Sequence, residues 1–188
     1  MPDARRVAVG VCVAVPFLLG AAAGSPDVAD EVAFRFGDTD IVESSGLVRT
    51  DGLVVTTNDS GDSGRVFAVD PRTGETVGVT SWTPEPVDVE ALAPAGPGHV
   101  WVGDLGDNQR VRRSVEVLRV PVGRGPVDAD PEAYELVYPD GAHDAEALVR
   151  HPLTGRLFVI SKGVFAGTVY AYPALLRTDR PNRLVKVG

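Results

Sequence analysis

Acidic side chains recur at the start of three short apolar segments of the sequence. Glu43 precedes the first segment, Asp88 and Glu90 begin the second, and Asp144 and Glu146 begin the third. Where two acids are two residues apart, an extended strand turns both to the same face. Converging carboxylates repel one another unless a proton, a basic group or a cation intervenes, and hard oxygen ligands suit calcium or magnesium. We therefore predict that these five acids are metal ligands, with calcium the favoured ion. Acceptance of backbone N–H bonds is their alternative role.

A second group of polar residues follows the next apolar segment of each repeat, at a nearly constant distance from Glu43, Glu90 and Glu146. Equal distances place these groups at the same end of their strands, where an acidic, amide-rich rim could bind a cation, a sugar or a metal-held phosphate. Together with one histidine, the predicted ligand-binding rim consists of Asn58, Asp59, Asp62, Asp104, Asp107, Asn108, His143 and Lys162. Turn chemistry is the alternative, because Asn, Asp and Gly are favoured in loops for backbone reasons alone.

Two residue types outside the acids could also carry function. His143 precedes Asp144 and could act as an acid, a base or a metal ligand, with a hydrogen-bonding role inside its loop as the alternative. Trp82 and Trp101 are expected to pack between repeats, although either ring could stack on a sugar. The sequence leaves the catalytic residues of any reaction unassigned.

Three copies of one strand pattern position these residues. Each copy has an acid-headed strand, a turn, an apolar strand, a polar loop and an alternating strand, and the copies span about residues 38–82, 83–140 and 141–188. The second copy is longer because of predicted loops over residues 107–113 and 123–131. The acids recur at roughly 50-residue intervals, which is typical of four-stranded propeller blades.

The sequence therefore predicts an all-β fold, an incomplete β-propeller of about three four-stranded blades after an N-terminal signal segment. A β-sandwich is the alternative, but it does not explain three matching units. Propellers close with about four to eight blades, so we expect either the N-terminal half of a longer propeller or a truncated gene product. An open three-unit solenoid would leave unprotected sheet edges. Residues 25–37 are expected to be a leader that includes a closing outer strand, Val32–Phe36.

Residues 1–24 are typical of a signal peptide for export. Arg5 and Arg6 precede an apolar run from Val7 to Leu19, and Ala21–Ala23 supplies the small residues that a signal peptidase requires. The run is shorter than the about 20 residues of a membrane span. We expect a secreted, extracellular protein without stable membrane insertion after cleavage. An uncleaved N-terminal membrane anchor is the alternative.

Composition limits the partners that the chain can have. Its 188 residues include 18 Lys+Arg and 26 Asp+Glu, a net charge of -8. This balance argues against nucleic acid and anionic membranes, which need clustered cations. The single cysteine, Cys12, lies in the apolar run, so no disulfide, thiolate nucleophile or cysteine-based zinc site is expected after cleavage. An unknown small ligand or an extracellular protein is the predicted partner.

Several of these motifs resemble a known family. Glu43–Gly46, Asn58–Asp62, Gly103–Asn108 and Tyr138–Leu148 resemble exported actinobacterial β-propellers of the WD-repeat-like kind, over roughly residues 38–178. More distantly, they are similar to phytase-like, esterase-like and SdiA-regulated propellers. The close family implies the fold and export but no particular activity. We expect a non-catalytic extracellular binding module with an acidic channel and rim. The distant likeness implies the alternative, a calcium-dependent hydrolase of phosphate or carboxylic esters.

Overall fold

The computed structural model describes residues 32–59 and 61–188. The predicted signal peptide over residues 1–24 and residues 25–31 of the predicted leader lie outside this range. Within it, every regular element is a β-strand, so the predicted all-β fold is confirmed, and all strands belong to the unit Phe34–Gly188. No helix among these residues has the length and hydrophobicity that crossing a membrane requires.

The strands form three sheets. In chain order they are β1 (Ser44–Thr50), β2 (Leu53–Asn58), β3 (Arg65–Val69), β4 (Thr76–Trp82), β5 (Val89–Pro94), β6 (His99–Asp104), β7 (Val115–Pro121), β8 (Gly125–Ala129), β9 (Glu132–Val137), β10 (Ala145–Arg150), β11 (Leu157–Ser161), β12 (Val169–Ala171), β13 (Asn182–Arg183) and β14 (Val185–Lys186).

Each sheet contains four antiparallel strands that are neighbours in space in the order of the chain. They are β1-β2-β3-β4 in the first sheet, β5-β6-β7-β9 in the second and β10-β11-β12-β14 in the third. Local sequence explains the connections. Asp51 and Gly52 join β1 to β2 with φ angles of 49° and 77°, the conformation of a tight two-residue hairpin, which Asp-Gly favours.

Two further strands connect the first sheet to the second repeat and the second sheet to the third repeat. β8 leaves the second repeat and pairs in parallel with β4, and β13 leaves the third repeat and pairs in parallel with β9. Gly78 permits the first pairing, because a Cβ there would lie 2.0 Å from the carbonyl oxygen of Gly123. The loop predicted over residues 123–131 is therefore partly wrong. β8 has a single large apolar residue, Val127, and no regular alternation that would mark it as a strand.

The first strands of the three sheets lie side by side, with β5 between β1 and β10. Side chains that face each other across neighbouring sheets form two hydrophobic cores. Val55, Val100 and Val120 belong to the core between the first and second sheets, and Val117 and Tyr170 to the core between the second and third. Each of these valines is fully buried, which contributes about 1.5–3 kcal/mol per side chain.

The predicted outer strand Val32–Phe36 is not formed. Residues 32–37 have no strand pairing. The N–H of Gly37 instead donates to the carbonyl oxygen of Gly74 at 2.8 Å, in the turn between β3 and β4. The alternating apolar pattern predicts a strand, but a strand needs a continuous ladder of hydrogen bonds, and Gly37 instead bonds to a turn.

Gly46 lies where β1 contacts β5, and a larger residue there is expected to destabilise the fold. A Cβ at Gly46 would lie 2.8 Å from the backbone nitrogen and from Cγ of Leu92. We expect Gly46→Val to lower the free energy of unfolding by about 1–3 kcal/mol, the usual cost of overpacking. Urea unfolding measures the change.

The matched control for this variant is the neighbouring Leu47, whose side chain is 60% exposed. Leu47→Val should change the free energy of unfolding by no more than about 0.5 kcal/mol. Equal stability of the two variants would mean that β1 moves away from β5 without cost, contrary to the prediction.

Candidate metal centre

A β-bulge interrupts the first strand of every sheet at the same place. The register shifts at Ser45 in β1, at Glu90 in β5 and at Glu146 in β10. A bulge re-aims one side chain while the ladder continues on both sides. Glu90 and Glu146 are therefore equivalent, as predicted, but their counterpart in the first sheet is Ser45. The predicted equivalence of Glu43 with these glutamates is wrong.

The acids that precede the bulged strands form a second equivalent set. The carbonyl oxygens of Glu43 and Asp144 accept N–H bonds from Asp59 and Lys162 at 3.0 and 2.7 Å, and that of Asp88 accepts two N–H bonds from the next loop at 3.1 Å. Glu43 thus corresponds to Asp88 and Asp144. Its side chain is exposed and, within the described part of the chain, does not join the clustered acids. Of the five predicted metal ligands, Glu43 is thus the one that lies outside the clustered acids.

Five carboxylates converge where the first strands meet. Oxygens of Asp59, Asp88 and Glu90 lie within 4.8 Å of one another, and so do oxygens of Glu90, Asp144 and Glu146. Glu90 belongs to both groups and lies at the centre. We call these five residues the acid row. It contains four of the five predicted metal ligands, and Asp59, predicted as a rim residue, replaces Glu43.

Asp59 could have been found by counting from the strands rather than from the glutamates. It directly follows β2, just as Lys162 directly follows β11. Both residues donate an N–H group to the acid before the first strand of their sheet. Asp59 and Lys162 therefore occupy equivalent positions in the first and third sheets. The bulge hid this relation, since it shifts one residue between the acids and the ladder.

Repulsion and burial together oppose ionisation within the acid row. Burial, followed by the charges of Asp59 and Glu146, raises the pKa of Glu90 to about 7. Burial and the charge of Asp59 also raise the pKa of Asp88. Negative charge is thus less favourable here than in water. Carboxyl groups perturbed in this way by burial and a specific partner are typical of functional sites.

The Asp88 carboxylate is held against the backbone of the loop that follows β6. Gly106 permits this contact, because a Cβ there would lie 2.2 Å from Oδ2 of Asp88. Oδ1 of Asp88 is buried and has no hydrogen-bond donor among the described residues. A carboxylate oxygen that is removed from water without a donor loses its solvation, and coordination to a hard cation can replace that solvation.

Lys162 balances one end of the acid row. Its ammonium group donates to Oε1 of Glu146 and lies 4.0 Å from Oδ2 of Asp144. The bond to Glu146 raises the pKa of Lys162, so the lysine stays charged. Oδ1 of the buried Asp144 accepts the backbone N–H of Asp107 at 2.9 Å. This end is therefore partly neutralised, and backbone acceptance, the alternative role for the acids, is present at Asp144.

Two of the predicted rim residues hydrogen-bond to the backbone that leads into the first strand of a sheet. Oδ1 of Asn58 accepts the N–H groups of Val42 and Glu43 at 3.1 and 3.3 Å. The Asp104 carboxylate likewise accepts two successive N–H groups before β5, at 3.0 and 2.9 Å, and pairs with Arg112 at 2.7 Å. We call this shared arrangement the entry clamp. In both sheets the polar side chain accepts N–H groups of the backbone, which is the alternative role for these residues.

Three further predicted rim residues belong to turns. Asp62 pairs with the Arg65 guanidinium at 2.9 Å. The Asp107 carboxylate accepts the N–H groups of Val111 and Arg112, both at 2.9 Å. Asn108 is exposed in the same turn as Asp107. For Asp62 and Asp107 the structure thus gives the side chain the turn chemistry that was the alternative to a rim.

His143 belongs to a different polar cluster. Its Nε2 lies 2.9 Å from Oδ1 of Asp140 and 2.8 Å from the Tyr170 hydroxyl, and the Lys186 ammonium donates to Asp140 at 3.2 Å. Although burial acts in the opposite direction, bonds from His143, Lys186 and Tyr170 lower the pKa of Asp140 to about 2. The cluster ties the loop before β10 to β12 and β14, so His143 has the loop hydrogen-bonding role.

Comparisons with protein families and curated proteins do not extend this description. No protein-family model matches the chain, and no curated protein gives a significant match. The resemblance to exported propellers therefore stays a prediction, and the geometry of the acid row is the basis for assigning a function.

Proposed function

We propose that the three sheets are blades of an exported β-propeller that works as a calcium-dependent binding module. The same four-stranded antiparallel order occurs three times, and the first strands lie side by side, as strands do around a propeller channel. The N-terminal sequence supports export. The ligand is an extracellular small molecule or protein, held at the end of the strands that carries the acid row.

Calcium is assigned to the end of the acid row formed by Asp59, Asp88 and Glu90. The observation that carries this assignment is the approach of their oxygens to within 4.8 Å of one another. Oxygens bound to one calcium ion at about 2.3–2.6 Å are separated by at most about 5 Å, so these three carboxylates fit. The buried Oδ1 of Asp88, which has no donor among the described residues, would be one ligand atom.

A binding module is favoured over a hydrolase of phosphate esters because the cations near the acid row are already engaged. Lys162 donates to Glu146. Arg112 donates to Asp104 at 2.7 Å and to the carbonyl oxygen of Gly106 at 2.9 Å. A phosphoryl group needs several positive groups that neutralise it in the transition state. Apart from the proposed calcium ion, the site would have to supply them from side chains, and these two are committed to the protein itself.

Calcium titration by isothermal calorimetry tests the proposed function. We expect the wild-type protein to bind calcium, and Glu90→Gln to weaken binding by more than about tenfold, because the central ligand loses its charge. Asp88→Asn should have a similar effect, since it removes charge from the same group of three.

Two substitutions are the controls for this titration. Glu75→Gln removes an exposed acid outside the row and should leave calcium affinity unchanged. Glu146→Gln removes the acid that is paired with Lys162 and should weaken calcium binding much less than Glu90→Gln. Absence of calcium binding, or equal affinity of the wild type and Glu90→Gln, would overturn the proposed function.

A further inference from the structure

An open cleft of about 530 Å³ lies between the second and third sheets. Trp101, Arg119 and Tyr134 line it from the second sheet, and Arg156 and Leu175 line it from the third repeat. Small-molecule sites have volumes of roughly 300–1,000 Å³. The cleft therefore has the size of a ligand site, and none of its side chains belongs to the acid row.

The wall of the cleft is one row of side chains across three strands. Trp101 in β6 pairs with Arg119 in β7, and Arg119 pairs with Glu132 in β9. Directly opposed residues of antiparallel strands point to the same face of the sheet. The ring of Tyr134 contacts Trp101 edge to face, with 5.7 Å between ring centroids. Two aromatic rings are therefore next to a charged row.

The repeat contains its own comparison for this wall. In the first sheet the corresponding row is Val55, Ala68 and Gly78, paired across β2, β3 and β4. Val55 and Ala68 are 0% and 3% exposed, and Val55 is part of the closed core against the second sheet. In the first sheet these positions thus carry small residues that close the core. In the second sheet, where the cleft is open, the same positions carry a large aromatic residue and two opposite charges.

The charge of the cleft is opposite to that of the protein. The Arg119 guanidinium makes no hydrogen bond or ion pair within the described part of the chain, and its positive charge acts on the neighbouring Tyr134. Nε of Arg156 donates to the carbonyl oxygen of Tyr172 at 2.8 Å, which holds that guanidinium at the cleft. Glu132 accepts a bond from the Tyr134 hydroxyl at 3.2 Å. Two guanidiniums therefore face one carboxylate, on a chain whose net charge is -8.

We propose that this cleft binds a small organic anion that carries both a ring and a carboxylate. The ring stacks on Trp101 or Tyr134, since aromatic faces accept apolar ring surfaces. The carboxylate pairs with Arg119, whose planar guanidinium matches a carboxylate with two parallel bonds. Acidic sugars and aromatic carboxylates share this chemistry. The site is separate from the acid row and does not depend on calcium.

Two probe pairs test the proposal and distinguish the two sources of ligand. D-glucuronate is compared with D-glucose, and 4-hydroxyphenylacetate with 4-hydroxybenzyl alcohol, each up to about 10 mM. Chemical shifts of the Trp101 indole N–H report binding, and Trp82, 5% exposed in the other core, is the internal reference. We expect one charged probe to bind at least about tenfold more tightly than its uncharged partner. The pair that responds identifies the source.

Substitutions then link the preference to the cleft. Arg119→Gln should abolish the preference for the charged probe, whereas Arg113→Gln, an exposed arginine outside the cleft, should preserve it. Trp101→Phe should weaken binding of both members of the pair, followed through Arg119 signals. If no probe shifts the Trp101 signal, or if Arg119→Gln keeps the preference, the proposal is wrong. The calcium titration is an independent result in either case.

Discussion

Calcium is expected to raise the melting temperature of the protein by roughly 5–10 °C at pH 8 and by much less at pH 5.5. A ligand at about 100 times its dissociation constant stabilises the native state by about 2.7 kcal/mol. Each kcal/mol corresponds to about 2–4 °C for a domain of this size. The pKa of Glu90 is raised to about 7, so at pH 5.5 its carboxylate holds a proton. This proton competes with calcium for the carboxylate. Differential scanning calorimetry at both pH values measures the two shifts.

The sign of the pH effect without calcium follows from the same group. The pKa of Glu90 is raised from 4.5 to about 7 in the folded protein, so the folded state keeps a proton that the unfolded state loses above pH 4.5. The favourable contribution of Glu90 to the free energy of unfolding is complete below pH 4.5 and is lost as the pH rises through about 7. Without calcium, stability should therefore fall with rising pH in this window.

Glu90→Gln is the control for both parts of this prediction. The variant has no titrating group at the centre of the acid row, so its melting temperature should depend less on pH between 5 and 7 and should gain little from calcium. A calcium shift of equal size at pH 5.5 and pH 8 in the wild type would contradict the prediction, because it would separate calcium binding from Glu90.

Removing the entry clamp at Asp104 is expected to cost about 3–5 kcal/mol of unfolding free energy. Asp104→Ala leaves two N–H groups before β5 without their acceptor and leaves Arg112 without its partner. The side chains of that ion pair are only 4% and 15% exposed. Breaking one partner of a buried ion pair costs about 3–5 kcal/mol. Urea unfolding, with the slope of the transition compared between variants, measures the loss.

The first sheet supplies the control, because the same clamp there is made by Asn58. Asp104→Asn keeps an oxygen for the two N–H groups and loses only the charge that faces Arg112. We expect it to lose less than half of what Asp104→Ala loses. Equal losses in both variants would assign the stability to the ion pair with Arg112 rather than to the clamp, and a neutral Asp104→Ala would contradict the prediction altogether.

The repeated pattern of acids, apolar segments and turns determined much of this protein by itself. The three acid-headed strands, the apolar strands β2, β6 and β11, and the turns between them follow from local alternation and turn residues, which need no distant partner. The acidity of the site was also readable from the sequence, because four of the five residues in the acid row follow from the spacing of two acids by two residues.

Tertiary structure decided the details that give the site its chemistry. The bulges at Ser45, Glu90 and Glu146 depend on how each first strand pairs with its neighbour. The one-residue offset at each bulge is enough to place Asp59, instead of the predicted Glu43, in the acid row. β8 and β13 form because another sheet offers an edge, not because of their own pattern. The pKa of Glu90 and the open cleft beside Trp101 arise only when separate sheets pack together, because burial and repulsion depend on distances that no local spacing contains.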